Sequence, residues 1–235
     1  VYDQFFFFFF STFEAYGFIV SEVNILGPFW NSVKVTAVTV AAVVFLSTLA
    51  AYSFARIDFW GKRFIFLLLL STLMVPGAVL IIPQFLQLRD LGLVDRQLGL
   101  ILVYIGGALP FSMFLMRSFF ESLPEELVDA GRIDGASEFG IFWRIMLPLA
   151  RPGIATITIF QFMSTWNEFI FAATVLHTPE KPTLQAAIFA LVGRYSTNWP
   201  ALTAGLTLSI VPIVTVYVFM QQQFVSGLTT GAIKG

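Results

Sequence analysis

The chain has 235 residues, of which 57% are hydrophobic and only 11% charged. An ordinary soluble domain is about a quarter charged, so this chain has too little polar surface to cover itself in water and reads as a membrane protein. A net charge of -1 gives no polybasic footprint for nucleic acid, and the absence of cysteine excludes disulfides, thiol chemistry and Cys-ligated metals.

Residues 1–30 form an N-terminal segment that opens with a run of phenylalanine, Phe5 to Phe10. It has neither the basic start nor the small-residue cleavage site of a secretory signal, and the run is far too short to span a bilayer. The expectation is a further membrane helix ahead of Val1; an interfacial aromatic anchor is the alternative use of the run. Residues 31–235 then form one transmembrane domain. Its charge-free windows mark the crossings: 35–55 between Lys34 and Arg56, 64–88 between Arg63 and Arg89, and 97–116 between Arg96 and Arg117. A fourth runs from Pro152 to Val175, interrupted only by Glu168, and a fifth from Ala201 to Phe224. Each approaches or exceeds the roughly 20 apolar residues that cross about 30 Å of hydrocarbon as a helix. Barrel strands alternate apolar and polar residues, whereas these windows are continuously apolar. The predicted fold is all-α, a polytopic bundle with five transmembrane helices. Pro76, Pro83, Pro110 and Pro212 lie within the windows, where they either kink the helices or line a solute path.

Orientation follows from the cations. Arg56, Lys62, Arg63, Arg117, Arg132, Arg144, Arg151 and Lys234 fall on one side; Lys34, Arg89, Arg96, Lys181 and Arg194 fall on the other. The richer side is cytoplasmic, which places the N-terminus outside and the 117–151 loop inside.

That loop holds a concentration of charge. Ser122 with Glu125 predicts a capping box, with Glu125, Glu126 and Asp129 near the positive end of the helix dipole. The helix is expected to run to Ile133 and stop at Asp134-Gly135, a turn dipeptide. Ser137 is placed to cap a second short helix carrying Phe139, Phe142, Trp143, Ile145 and Met146, which Pro148 ends. Such a bent pair either lies on its own bundle or offers its aromatics to a protein partner.

Asp129-Ala130-Gly131, three residues, Gly135, nine residues and Ile145-Met146-Leu147-Pro148 resemble the EAA motif of permease subunits of binding-protein-dependent ABC importers. "AAYSFARIDFWGKR" at Ala50–Arg63, "LPEELVDAGRIDGAS" at Leu123–Ser137, "TWNEF" at Thr165–Phe169 and "GLTTGAIKG" at Gly227–Gly235 look like the carbohydrate-uptake branch. That branch usually has six membrane helices. Asp129 and Gly131 stand where the motif usually has Glu and Ala; Asp shortens the carboxylate's reach, and Gly costs about 1 kcal/mol of helix propensity.

The resemblance implies an importer permease of a bacterial or archaeal inner membrane that transports a sugar or oligosaccharide. Residues 121–151 would be its coupling loop. Glu126, Asp129, Ala130, Gly131, Asp134, Gly135, Phe139, Phe142, Ile145, Leu147 and Pro148 would form the coupling element for a separate ATPase. It also implies a second permease subunit in a heterodimer, an extracytoplasmic solute-binding protein and membrane lipid as partners, with no nucleic acid.

The chain has no phosphate loop, since Gly61-Lys62 is followed by Arg63 without the upstream glycine. His177, the single histidine, reads as a solvated loop imidazole. No catalytic residue, metal ligand or bound cofactor is therefore expected; ATP and magnesium belong to the partner ATPase. Trp166, Asn167 and Glu168 are candidates for the translocation pathway, because an intramembrane acid is a functional candidate. Glu168 lies roughly 24 Å along its helix from Pro152, and the competing reading is an inter-helix hydrogen bond that fixes the bundle. Glycerol phosphate or another polyol is an alternative solute. An ion-coupled secondary transporter fits less well, since one acid is thin material for ion coupling, and a membrane scaffold leaves the kinked helices without a purpose.

Overall fold

Pro76 fixes the first large departure from a simple bundle. The residue before a proline is driven out of the helical region, and Val75 adopts φ -86°, ψ 117°. The 64–88 window is therefore not one crossing helix. It is two helices meeting at 102°.

The structure, a computed structural model, describes residues 14–192 and 197–232, with side chains to Gln221. The Phe5–Phe10 run, Arg194 and Lys234 lie outside the described residues. A helical stretch at 14–21 leads to α1, Leu26–Arg56. There follow α2, Lys62–Ser71, with a 3-10 turn at Thr72–Met74; α3, Gly77–Asp90; and α4, Gln97–Ser122. Two short helices, α5 (Glu126–Ile133) and α6 (Glu138–Leu149), precede α7, Arg151–Asn167. The chain ends with α8, Ile170–Val175; α9, Leu184–Phe189; and α10, Trp199–Ala232. Among the described residues there is no strand.

Among the described residues, three helices are long and apolar enough to cross a membrane: α1, α4 and the Trp199–Gln221 part of α10. The number reaches five if the bent pairs α2/α3 and α6/α7, the latter bent by 74°, each count as one span. The fourth window also differs from expectation: the helix stops at Asn167 and restarts at Ile170. Pro83, Pro110 and Pro212 are carried inside α3, α4 and α10.

The chain divides into two units. One comprises residues up to 38, 81–102 and 163–216. Here Asn31 Nδ2 donates to the carbonyls of Glu180 and Pro182, and Ser32 Oγ accepts the Leu184 N–H. Asp95, at φ 58°, gathers a surface turn: its carboxylate accepts from the N–H groups of His177 and Thr178, the Thr178 hydroxyl and Lys181 Nζ. These donors, above all Lys181, hold the Asp95 carboxyl well below the usual carboxylate range.

The other unit comprises 39–80, 103–162 and the residues from 217 on. Its core joins Tyr52 and Phe54 of α1, Met116 and Phe120 of α4, Ile141, Phe142 and Met146 of α6, and Ile157 of α7. Gln161 donates to Ser112 Oγ inside it. At Gly153 a Cβ would lie 2.6 Å from Phe119 Cγ, so only glycine permits that approach of α7 to α4.

Candidate functional site

The 123–150 segment forms as two short helices because its ends are specified locally. Gly135 takes φ 77°, open to glycine without a Cβ penalty. The Gly135 N–H donates to the Arg132 carbonyl and the Ala136 N–H to the Gly131 carbonyl, the paired bonds that close a helix at a left-handed glycine. Ser137 then caps α6 as expected, its Oγ accepting the Gly140 N–H at 3.2 Å. The expected capping box does not form. Ser122 remains in the last turn of α4 and donates to the Phe119 carbonyl, while α5 starts at Glu126 behind Glu125 with no side-chain cap. Pro124 disfavours helix at Leu123, so α4 ends one residue too late to free Ser122 for capping.

The second helix ends one residue past Pro148, at Leu149, and the chain bends at Ala150. A π-helical turn spans Phe142–Met146, and the Leu147 N–H donates to the Phe142 carbonyl. A proline in a helix normally removes one bond of the ladder; the wide turn shifts the pairing just before it.

Burial sorts the predicted coupling residues into two groups. Glu126, Asp129, Ala130, Asp134, Gly135, Phe139 and Pro148 are exposed. Gly131 and Phe142 are buried, and Ile145 and Leu147 half-buried, so these four hold the segment to its unit. A Cβ on Gly131 would stand 3.0 Å from both Ile141 Cγ1 and Ile145 Cδ1. The departure from alanine there is a close approach of α5 to α6. On the outside, Ile133 is 85% exposed and Phe139 66%; Phe139 meets Trp143 edge-on, with ring centroids 5.9 Å apart. Acids and unburied apolar groups therefore share the free surface of one rigid turn. Sequence reasoning assigned no role to Ile133, although an isoleucine beside a helix-ending glycine has little core to enter.

Polar bonds tie this surface to α1. Arg132 pairs with Asp129 at 3.3 Å and with Glu138 at 2.7 Å, which raises the guanidinium's affinity for its proton. Exposed pairs of this kind stabilise little, but the second Glu138 oxygen accepts from Tyr52 Oη, whose ring packs against Phe120 and Phe142. Arg56, in the last turn of α1, donates to the carbonyls of Phe120 and Leu123, where the end of α4 favours a cation. Tyr52, Arg56, Arg132 and Glu138 were not among the predicted site residues.

The second candidate cluster is separate from this one. Trp166 is buried, its indole N–H donating to the Ser209 carbonyl at 3.1 Å, with Phe29 edge-on to the ring. Asn167 Nδ2 donates back to the Met163 carbonyl. Glu168 sits in the break between α7 and α8 and accepts the N–H groups of Phe171 at 2.7 Å and Ala172 at 3.1 Å. Those bonds satisfy two donors at the start of α8. Among the described residues, no group of histidine and acidic side chains could hold a metal ion.

A family profile described as "Binding-protein-dependent transport system inner membrane component" matches residues 7–230. The chain is 38% identical to the arabinooligosaccharides transport system permease protein of Halalkalibacterium halodurans, over 95% of this chain and 80% of that one. It is 36% identical to the diacetylchitobiose uptake system permease protein of Streptomyces coelicolor, over 94% of this chain and 74% of the other. Among solved structures it is similar to a bacterial ABC transporter involved in the import of the acidic polysaccharide alginate. That likeness has a TM-score of 0.79 and 28% identity, and covers 89% of this chain and 79% of that one.

Proposed function

Because the chain belongs to the family of binding-protein-dependent transport system inner membrane components, we propose that it is the permease subunit of an ATP-driven importer for a sugar or oligosaccharide. It is a multi-pass inner-membrane protein, and its family works with ATPase and solute-binding partners. ATP hydrolysis, with its magnesium, belongs to the separate ATPase subunit. The carbohydrate reading is supported by the relatives, whose names specify arabinooligosaccharides and diacetylchitobiose. The observation that carries the division of labour is the free surface of α5 and α6, where Ile133 and Phe139 stand unburied beside Asp129 and Asp134.

In this reading the ATPase receives Ile133 and Phe139 in a surface groove, and the two short helices convert its closure into movement of α1, α4 and α7, a switch between two packed arrangements. The α5–α6 surface and the C-terminus face the cytoplasm. A second permease subunit, different from this one, completes the pathway; Met74 and Val79, both largely exposed, offer it an apolar surface. Trp166, Asn167 and Glu168 shape the pathway by fixing the break between α7 and α8.

The test is reconstitution of the complex with its ATPase and binding protein, followed by ATPase assays over a panel of sugars, oligosaccharides and polyols. Stimulation by one carbohydrate, lost in Phe139→Asp while the subunits still express, is the expected result. Uptake that persists without ATP, or an ATPase that co-purifies equally with Phe139→Asp and Asp129→Lys, overturns it.

A further inference from the structure

One cavity of this molecule has no part in coupling or in the α7/α8 break. It measures about 710 Å³ and is lined by Asp58, Phe59, Gly61, Lys62, Arg63, Phe64, Phe66, Leu67 and Arg117. Three of these residues are cations. Lys62 is paired with Asp58 at 3.0 Å and Arg117 with Glu121 at 2.8 Å. Arg63 has no ion-pair partner among the described residues, so the site keeps a net positive charge.

The walls are ordered by aromatic contacts. The Arg117 guanidinium lies over the Phe66 ring, 3.9 Å from its centroid, and Phe54 packs against both Phe59 and Phe66. Gly61, at φ 79°, turns the chain into α2 with no side-chain cap; the Lys62 N–H is spent on the Phe59 carbonyl at 3.2 Å, and the two N–H groups after it remain for an anion. Part of the lining is apolar and uncovered: Phe64 is 71% exposed and Leu67 54%, with Trp60 next in the chain to this lining at 97%. The cavity also lies where α1 ends and α2 begins, beside the end of α4. In a spanning chain that is headgroup depth, where tryptophan and basic residues concentrate.

A cavity lined by both cations and bare apolar side chains matches an amphiphile rather than a free ion. We propose that this cavity is a binding site for an anionic phospholipid, its phosphate held by Arg63, Lys62 and Arg117 and its acyl chains lying along Phe64 and Leu67. The proposal does not depend on which solute the transporter carries.

The assembled transporter, purified in mild detergent, is incubated with equal amounts of phosphatidylglycerol and phosphatidylcholine, and retained lipid is counted by native mass spectrometry. The intact complex should keep phosphatidylglycerol in preference to phosphatidylcholine. The double variant Lys62→Gln/Arg63→Gln should lose that preference, about fivefold for each cation removed. Arg89→Gln, at a basic residue outside the cavity, should leave it unchanged, and the same spectra report whether the subunits remain assembled. Equal retention by the double variant overturns the proposal. So does displacement of the lipid by millimolar inorganic phosphate alone, which would mark a free-anion site. Loss of a subunit without any change in lipid retention overturns it as well, since the cavity would then be a protein contact.

Discussion

Tyr52 Oη donates a hydrogen bond to Glu138 Oε2 at 3.1 Å, joining two residues 86 positions apart. The bond fastens the first turn of α6 to α1, and Arg132 and Asp129 extend it to α5. Tyr52→Phe keeps the ring between Phe120 and Phe142 and removes only this link. Thermal stability should fall by about 1 kcal/mol. The ratio of solute transported to ATP hydrolysed should drop in reconstituted complexes, while Glu138→Gln, still able to accept, falls less. An unchanged ratio in both variants would leave the link without a part in coupling.

Gly135 should tolerate no side chain well. Its left-handed backbone costs any L-residue about 1–2 kcal/mol, so Gly135→Ala destabilises the helix pair by that order, and Gly135→Asn by less. Hydrogen exchange on residues 131–137 in the assembled transporter reads the difference directly.

Gly131→Ala is a finer case. Alanine gains about 1 kcal/mol of helix propensity, but its methyl group meets Ile141 and Ile145 at 3.0 Å. The two contributions nearly cancel, so Gly131→Ala should shift the melting temperature little, whereas Gly131→Leu should unseat α5 and abolish ATPase co-purification. Gly131→Ala/Ile145→Val, which relieves the crowding at one of the two contacts, should be at least as stable as the parent.

Glu168 separates a structural from a solute-contacting role. Glu168→Gln keeps a carbonyl oxygen for one of the two N–H groups, those of Phe171 and Ala172, and uptake should be largely retained. Glu168→Ala leaves these donors unpaired at a cost of about 1–3 kcal/mol and should reduce stability and uptake together. Loss of uptake in Glu168→Gln at unchanged stability would instead place the carboxylate on the solute.

The turn gathered by Asp95 has a defined pH response. Its carboxyl is held below the usual range by Lys181 and by the Thr178 and His177 donors. The stability it contributes is therefore fully present above the ordinary carboxylate range near about 4 and is lost only as the pH falls through the lower folded value. Proteolytic protection of residues 176–183 should persist at pH about 5 and decline below about 4. Asp95→Asn tolerates the same backbone but should remove protection at neutral pH.

Much of this was legible in the residues. The windows that became α1, α4 and α10 are bounded by cations or turn residues and contain no charge, and hydropathy accumulates along a chain without reference to its partners. Gly135 and Ser137 were readable for a similar reason: the bonds that stop α5 and start α6 span only a few residues. The break at Val75 was not, because a proline inside an apolar window is compatible with a kink or with a full reversal of direction. Ser122 misled because its hydroxyl had two local acceptors or donors to choose between, and the length of α4 decided the outcome. Nothing in the sequence paired Tyr52 with Glu138 or Arg56 with the end of α4; bonds across 64 or 86 residues exist only once the helices have packed.

The corner between α2 and α3 sets a condition on where this chain can live. Hydrocarbon offers no hydrogen bonds to the amide and carbonyl groups that a broken helix leaves over, and every residue from 71 to 79 is exposed. Lipid cannot be the solvent of that corner. It requires water or another polypeptide laid against it, so the elbow faces a wet or a protein-lined space and never bare lipid.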